Sequence, residues 1–330
     1  FGDCEDKSVL TITLLREIGV EAWPVLALTS DDGSVAPEFP AINVFNHAIV
    51  AVKAPVAEGP DSPAGIDAGP LGHLIVFDPT SSNTGFGDLP GYLQGTRAVL
   101  AHDTHGGMIS LPVLPPEASR RESEARVSFP DRGGIDVKTT YRFSGQYAAD
   151  MRARYESVRG DKRKEEFLTW LSGHFGKGEI RGFEVTGVEV PDQPIVRTID
   201  FWMPLPGKEL GALRTMAASL HLFTQVDRLN EMERATPLRI DTGYMESDHT
   251  TIEIPSGWKI LEPLPSAQAS CPAGSYSMKV RREGGTLLVE RTLRINAITV
   301  PPSEYLPIKK FFDDVIKGDG TGIAMEKAGS

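Results

Sequence analysis

Three side chains near the beginning of the chain could together carry out acyl transfer. They are the thiol of Cys4, the imidazole of His47 and the carboxyl of Asp78. A thiolate attacks a carbonyl carbon, an imidazole moves the proton to the leaving group, and a carboxylate orients the imidazole and stabilises its charged form. Each residue alone is more often structural, so the catalytic interpretation depends on their order and predicted positions.

The thiol needs activation, because an ordinary cysteine is mostly protonated at neutral pH. Cys4 is predicted at or near the first position of a helix, where unpaired N–H groups and the helix dipole favour a thiolate by about 0.3–1 kcal/mol. Asp3, Glu5 and Asp6 crowd the same turn and oppose this effect. A cationic partner is therefore required, and His47 is the candidate.

The element that carries Cys4 is predicted to be an amphipathic helix. Asp3 is suited to be its N-cap, with Asp6 in the capping-box position, and Gly19 is suited to end it. Apolar residues recur at helical spacing and widen into a broad face, which predicts a helix that is buried on more than one side. These residues are Val9, Leu10, Ile12, Leu14, Leu15 and Ile18.

The histidine and the carboxylate lie on two predicted strands that a hairpin would bring together. The strands are Phe45–Val52 and His73–Asp78, joined by the proline- and glycine-rich loop Pro55–Gly72. If the loop is symmetric, Val52 lies opposite His73. Counting outward then places His47 opposite Asp78, on one face, with Cβ atoms about 4.5–5.5 Å apart. A slip of one residue would put the two side chains on opposite faces.

Segments around these residues resemble the transglutaminase-like superfamily, and most closely its bacterial multi-domain type with an N-terminal β-domain, absent here, and C-terminal β-modules. They are Gly2-Asp-Cys-Glu-Asp-Lys-Ser8, Leu14-Leu-Arg-Glu-Ile-Gly-Val20, Phe45-Asn-His-Ala-Ile-Val50 and Phe77-Asp-Pro-Thr80. The resemblance implies that Cys4 is the nucleophile, His47 the general base and Asp78 the orienting acid. The family's core also has helices before the nucleophile, which this chain lacks, so the activity of the chain by itself is left open.

A looser likeness extends over the rest of the chain. It rests on Leu89-Pro-Gly-Tyr-Leu-Gln-Gly-Thr-Arg97, which resembles the segment that closes the core, and on Pro255-Ser-Gly-Trp258 and Pro302-Ser-Glu-Tyr305, which resemble the C-terminal module. The predicted fold is α+β: a partial papain-like transglutaminase core of helix plus antiparallel sheet, then β-sandwich-like modules with an inserted helix. The predicted domains are residues 1–115, 116–245 and 246–330, with helices at Arg163–Phe175 and Tyr305–Ile316.

Composition narrows the classes of function. The 330 residues carry a net charge of −11, which repels phosphate backbones and gives nucleic-acid binding no electrostatic support. No run approaches the roughly 20 apolar residues of a membrane span. The two cysteines form no disulfide framework and no CxxC metal motif, and Cys271 is interpreted as an incidental thiol.

Two further motifs are better explained as structural features than as binding sites. His102-Asp-Thr-His105 offers imidazole and carboxylate ligands for a metal, but no further ligand pattern accompanies it, which favours a solvated turn. The glycine-rich segment Gly318–Gly322 follows a predicted helix. A phosphate-binding loop would open a helix, so that function is rejected.

The sequence therefore predicts a cysteine enzyme that forms a thioester at Cys4 from a glutamine side chain or a peptide bond and transfers the acyl group to water or an amine. It predicts a protein or peptide substrate, and no metal or organic cofactor is needed. The alternative is a catalytically silent binding or assembly module that uses the β-domains. Because the chain begins at Phe1, inside a motif, it is interpreted as part of a longer protein. The resemblance implies a periplasmic or cell-envelope location.

Overall fold

The computed structural model describes residues 2–33, 35, 41–53, 62–218 and 229–328. Strands make up 41% of it and helices 24%, so the fold is mostly β. The predicted α+β class, with a partial papain-like core, is therefore wrong. Helices are present, but alternating polar and apolar residues build strands of up to 10 residues along much of the chain, and these strands outweigh the helices.

The first part of the chain forms a six-stranded antiparallel sheet. Its strands are β1 (Ala22–Ala27), β2 (His47–Lys53), β3 (Gly65–Asp67), β4 (His73–Phe77), β5 (Arg97–Leu100) and β6 (Gly107–Ser110). They lie in the order β3-β4-β2-β1-β5-β6. Part of the loop predicted between β2 and β4, residues 55–61, and Phe1 lie outside the described residues. The central strand β2 is buried on both faces, which explains its uninterrupted apolar run.

The remaining chain is built around an eight-stranded sheet. Its strands are β7 (Arg120–Ser128), β8 (Ile135–Ser144), β9 (Glu179–Thr186), β10 (Ile195–Met203), β14 (Tyr244–Glu253), β16 (Ser266–Cys271), β17 (Gly274–Glu283) and β18 (Thr286–Ile295). Their order is β16-β17-β18-β14-β7-β8-β10-β9, in which β7 and β14 pair in parallel. Strand β14 crosses the predicted division between residues 245 and 246, and strands from both sides of it share this sheet.

Smaller sheets and the helices complete the described architecture. A four-stranded sheet has the order β11-β12-β20-β15, with strands Gly207–Leu210 (β11), Leu213–Ala217 (β12), Gly322–Lys327 (β20) and Trp258–Ile260 (β15), and Leu238–Ile240 (β13) pairs with Ile298–Val300 (β19). The helices are α1 (Cys4–Glu17), α2 (Gln146–Ser157), α3 (Asp161–Phe175) and α4 (Tyr305–Asp319). The positions of α3 and α4 confirm the two helices predicted there. Within the described residues, no helix is long and apolar enough to cross a membrane.

Helix α1 packs on the sheet through a narrower face than predicted. Its buried residues are Ser8 and Ile12, one turn apart. The other apolar stripe lies at the surface, so the prediction of burial on more than one side is wrong. Its members are Val9 (62% exposed), Leu10 (59%), Leu14 (59%) and Ile18 (75%). Periodicity shows that a helix is apolar on a side, but which stripe meets the sheet is decided by packing.

The end of α1 follows the prediction. Gly19 adopts a φ of +81°, a left-handed conformation that costs glycine little. Its N–H donates to the carbonyl of Arg16, and the N–H of Val20 donates to that of Leu15 at 2.9 Å. This pair of hydrogen bonds satisfies carbonyls that the end of a helix leaves unpaired.

A buried ionic cluster lies inside the eight-stranded sheet at its parallel strand pair. Arg121 on β7 contacts both Glu246 (3.1 Å) and Asp248 (3.0 Å) on β14. Arg291 on β18 contacts Glu246 at 2.7 Å and also Asp319, the last residue of α4, at 2.8 Å. The two arginines and the two β14 carboxylates are almost completely buried. Such groups are tolerated away from water only when each charge is paired.

We therefore expect Arg121→Met to destabilise the protein by about 3–5 kcal/mol, because it leaves two buried carboxylates without this cation. Arg126→Met on the same strand is the matched control. Arg126 is exposed, so its replacement should change the free energy of unfolding by no more than about 0.5 kcal/mol. Urea denaturation of the two variants measures the difference, and equal losses would contradict the role of the cluster.

Candidate active site

Cys4 is the first residue of α1, as predicted. The carboxylate of Asp3 accepts a hydrogen bond from the N–H of Asp6 at 3.0 Å, and that of Asp6 accepts one from the N–H of Asp3 at 3.4 Å. This capping box fixes where the helix begins. The Cys4 thiol is free and half-buried, and its own backbone N–H stands at the helix start, where it could stabilise an oxyanion.

Helix α1 runs along β2 in the same direction as the strand. Near its beginning, the hydroxyl of Ser8 donates to the carbonyl of Ala48 at 2.9 Å. One turn later, Ile12 packs in a cluster with Val50 and Val52, further along β2. The beginning of the helix and the beginning of the strand therefore lie at the same edge of the sheet.

This arrangement places the three predicted residues at one edge of the six-stranded sheet. Cys4 begins α1, His47 begins β2, and Asp78 follows the last residue of β4. Since β2 and β4 are antiparallel, the start of one strand lies beside the end of the other. Cys4 also shares a helical face with Ser8, four residues later, and this face is the one turned toward β2.

His47 and Asp78 are in direct contact. The Nε2 atom of His47 lies 2.9 Å from Oδ2 of Asp78. Only 14% of the histidine side chain is exposed, and the carboxylate side chain is fully buried. The contact leaves Nδ1 as the ring nitrogen that could exchange a proton with a thiol, as an imidazole oriented by a carboxylate does in a catalytic triad.

The predicted strand register is wrong by two residues. Val52 pairs with Ile75 and not with His73. The loop is not symmetric, because it contains β3, which pairs with β4 on the side away from β2. A shift of two residues keeps every side chain on its face, so His47 and Asp78 become diagonal neighbours, still within reach of each other.

The carboxylate of Asp78 accepts four hydrogen bonds. Oδ2 accepts from His47 and from the hydroxyl of Tyr92 at 2.7 Å, and Oδ1 accepts from the N–H (2.8 Å) and the hydroxyl (2.7 Å) of Thr80. Burial alone raises the pKa of this group, but the hydrogen bonds outweigh it and hold the pKa of Asp78 below its ordinary value of 3.8. The residue is therefore a stable anion beside the imidazole.

Tyr92 is a site residue that sequence reasoning did not single out, although it lies in a segment that resembles the family. Its ring meets that of His47 edge-on, with centroids 6.1 Å apart. Burial and the neighbouring carboxylate of Asp78 raise the pKa of Tyr92, so its hydroxyl remains a donor. It sits in a short 3-10 turn at Gly91–Leu93, and no spacing rule connects such a turn to Asp78.

The backbone before the histidine is anchored to the neighbouring strand end. The side chain of Asn46 accepts from the N–H of Thr29 and donates to its hydroxyl, each at 3.0 Å, which fixes the point where β2 begins. In the part of the chain that the structure describes, no hydrogen bond or ion pair joins the Cys4 thiol to the His47 ring. Catalytic hydrogen bonds are commonly long without substrate and tighten in the complex.

The other motifs lie outside this site. Nδ1 of His102 accepts from the N–H groups of Thr104 (3.1 Å) and His105 (3.2 Å), which is the geometry of a turn. Among the described residues, no group of three or more side chains is arranged to hold a metal ion. Cys271 ends β16 in the other sheet, and burial raises the pKa of its thiol.

Comparisons with known proteins find similar sequences and structures, but they assign no function to this chain. A family model described as a domain of unknown function (DUF3858) matches residues 218–325, which is less than half of the chain. No curated protein matches. The crystal structure of a "putative protease" from Parabacteroides distasonis ATCC 8503 is similar at a TM-score of 0.48 and 11% identity. The match covers 97% of this chain, which spans 43% of the length of that protein. Values this low carry no argument about chemistry.

The lowered pKa of Asp78 predicts an acid-dependent loss of stability. The folded state favours the carboxylate, so this contribution is complete above the ordinary pKa and is lost as the pH falls through the lower folded value. Between about pH 5 and about pH 2, we expect the unfolding free energy of wild type to fall more steeply than that of Asp78→Asn. The exposed Asp131→Asn is the control and should keep the wild-type slope. Parallel curves for wild type and Asp78→Asn would contradict this role.

Removing the Tyr92 hydroxyl should weaken the fold at the same place. Tyr92→Phe keeps the ring and deletes a donor to a buried charge, which should cost about 1.5–3 kcal/mol. Tyr305→Phe is the comparison, since its hydroxyl donates to the neutral carbonyl of Glu231 at 2.9 Å and should cost about 1 kcal/mol. Denaturant unfolding at pH 7 ranks the two variants, and the reverse ranking would count against the contact with Asp78.

Proposed function

We propose that Cys4, His47 and Asp78 form the catalytic centre of a cysteine acyltransferase or hydrolase. The observation that carries the proposal is the 2.9 Å contact between the ring of His47 and the buried carboxylate of Asp78, at the sheet edge where α1 presents Cys4. A buried carboxylate on one ring nitrogen stabilises the imidazolium form, and an imidazolium near a thiol favours the thiolate. The resemblance of the surrounding segments to the transglutaminase-like superfamily supports the same roles.

The chemistry follows from these roles. The Cys4 thiolate attacks the carbonyl carbon of an amide, a carbon–sulfur bond forms, and the carbon–nitrogen bond breaks while His47 gives its proton to the leaving amine. Water or another amine then attacks the thioester carbon and gives its proton to His47; a carbon–oxygen or carbon–nitrogen bond forms, the carbon–sulfur bond breaks, and the Cys4 thiolate is regenerated. The backbone N–H of Cys4, at the start of α1, is the group that would stabilise the oxyanion of both tetrahedral intermediates. The substrate class is a glutamine side chain or a peptide bond of a protein or peptide.

A second candidate is a binding module without turnover. One observation favours it: within the described residues the thiol of Cys4 makes no hydrogen bond to His47. In such a module the imidazole–carboxylate pair would be structural and the thiol would behave as an ordinary one. The reactivity of the thiol separates the two candidates.

We expect Cys4 to react with iodoacetamide well below pH 8, because the imidazolium maintains a thiolate there. His47→Ala should remove this reactivity, so that Cys4 is alkylated as an ordinary thiol is. Mass spectrometry reports the two cysteines separately, and Cys271, whose pKa burial raises, is the internal reference in every sample.

His249→Ala is the matched control, since His249 is exposed on the eight-stranded sheet. It should leave the alkylation of Cys4 unchanged. If Cys4 of the wild type follows the profile of an ordinary thiol, the binding-module candidate stands and the enzymatic proposal is abandoned.

A further inference from the structure

The carboxylate side of the site is attached to the second large sheet. We call residues 79–94, which follow Asp78 and contain Thr80 and Tyr92, the acid segment. Hydrogen bonds cross from this segment to α2, which packs beside β7 and β8, and to the loop before β10. Residues far away in sequence therefore hold the groups that hydrogen-bond to Asp78.

Gln146, the first residue of α2, supports the turn that carries Tyr92. Its side-chain oxygen accepts from the N–H of Gly91 at 3.1 Å. Its amide nitrogen donates to Asp150, one turn further along α2, at 2.8 Å, which fixes the orientation of the amide group. Tyr92 follows Gly91 directly, so this contact determines where the tyrosine hydroxyl lies relative to Asp78.

Arg152, two turns into α2, supports the first half of the acid segment. Its side chain is buried, with an exposure of 2%. It donates to the carbonyl of Asn83 at 3.2 Å and to carbonyls of the loop before β10, among them Val190 at 2.9 Å. A single guanidinium therefore ties the acid segment and that loop to the same helix.

The loop before β10 also contacts the acid segment directly. The carboxylate of Asp192 accepts from the N–H of Phe86 at 2.9 Å. Gly85 permits this approach, because a Cβ atom there would lie 2.7 Å from that carboxylate and 3.0 Å from the carbonyl of Pro191. Any other residue at position 85 would push the segment away from the loop.

Helix α2 can serve as a support because it is itself fixed on the eight-stranded sheet. The hydroxyl of Tyr147 donates to Glu246 of the buried ionic cluster at 2.9 Å. Ala148 and Ala149, the next two residues, are buried. One side of the helix is thus held by the sheet, and Gln146 and Arg152 reach the acid segment.

We propose that α2 is a positioning element of the catalytic centre, with Gln146 and Arg152 as its positioning residues. They keep the acid segment in place, so that Asp78 and Tyr92 stay aligned on His47. The β-rich part of the chain is then a component of the active site. This inference rests on the proposed function, since it assumes that the alignment serves the reactivity of Cys4.

The test compares Gln146→Ala with Gln146→Glu in the whole chain. Alanine removes the acceptor for Gly91, whereas glutamate retains an oxygen there. We expect Gln146→Ala to lower the alkylation rate of Cys4 at pH 6.5 by about tenfold and to speed amide hydrogen exchange in the acid segment by a similar factor. Because glutamate would also place its charge beside the carboxylate of Asp150, Gln146→Glu is made together with Asp150→Asn, and the double variant should stay within about twofold of wild type in both measurements. Gln146 is half-buried, so the exchange of its side chain leaves the helix folded.

Arg154→Ala is the matched control, because Arg154 is an exposed residue of α2 that contacts Glu166 of α3. It should change neither measurement. If exchange rises in Gln146→Ala but the pH profile of alkylation stays that of wild type, α2 fixes the segment without positioning Asp78, and the inference is overturned while the proposed function stands. An ordinary thiol profile in the wild type overturns the proposed function, and the positioning role falls with it.

Discussion

A carboxylate that is buried and still charged is the constraint on which the site depends. The interior penalises the charge of Asp78, and only the four hydrogen bonds that it accepts keep it ionised. Every donor must therefore be held in place: the ring of His47 by the start of β2, Thr80 by the turn after β4, and Tyr92 by a short helical turn. The loss of any one donor leaves part of the cost of burying this charge uncompensated.

The site is assembled from parts of the chain that are distant in sequence. The six-stranded sheet brings the thiol, the imidazole and the carboxylate to one edge, while α2 and the loop before β10 hold the segment that completes the carboxylate's surroundings. The buried arginines and carboxylates of the eight-stranded sheet fix α2 in turn through Tyr147. Stability and chemistry thus draw on the same network of buried polar contacts.

Features that depend on residues close together in sequence could be predicted, whereas features that depend on contacts between distant segments could not. The beginning of α1 depends on Asp3 and Asp6 alone, so the capping box was visible in the sequence. The shared face of His47 and Asp78 was also predictable, because a register error of two residues preserves it. The register itself depends on the path of a loop that contains the short strand β3, and the role of Tyr92 depends on the path of the acid segment. The exposed stripe of α1 shows that helical period cannot say which apolar side finds a partner.

The parallel pairing of β7 with β14 has a consequence for how the chain acquires its shape. Arg120 lies beside Met245 at the start of that pair, so the centre of the eight-stranded sheet joins segments separated by more than a third of the chain. Closing so long a connection costs entropy before any contact compensates for it, and such topologies fold slowly. During synthesis the six-stranded sheet can form first. The surface that holds α2 includes Glu246 of β14, so it is complete only after β14 has left the ribosome. Completion of the candidate site therefore waits for residues more than 150 positions downstream of Asp78.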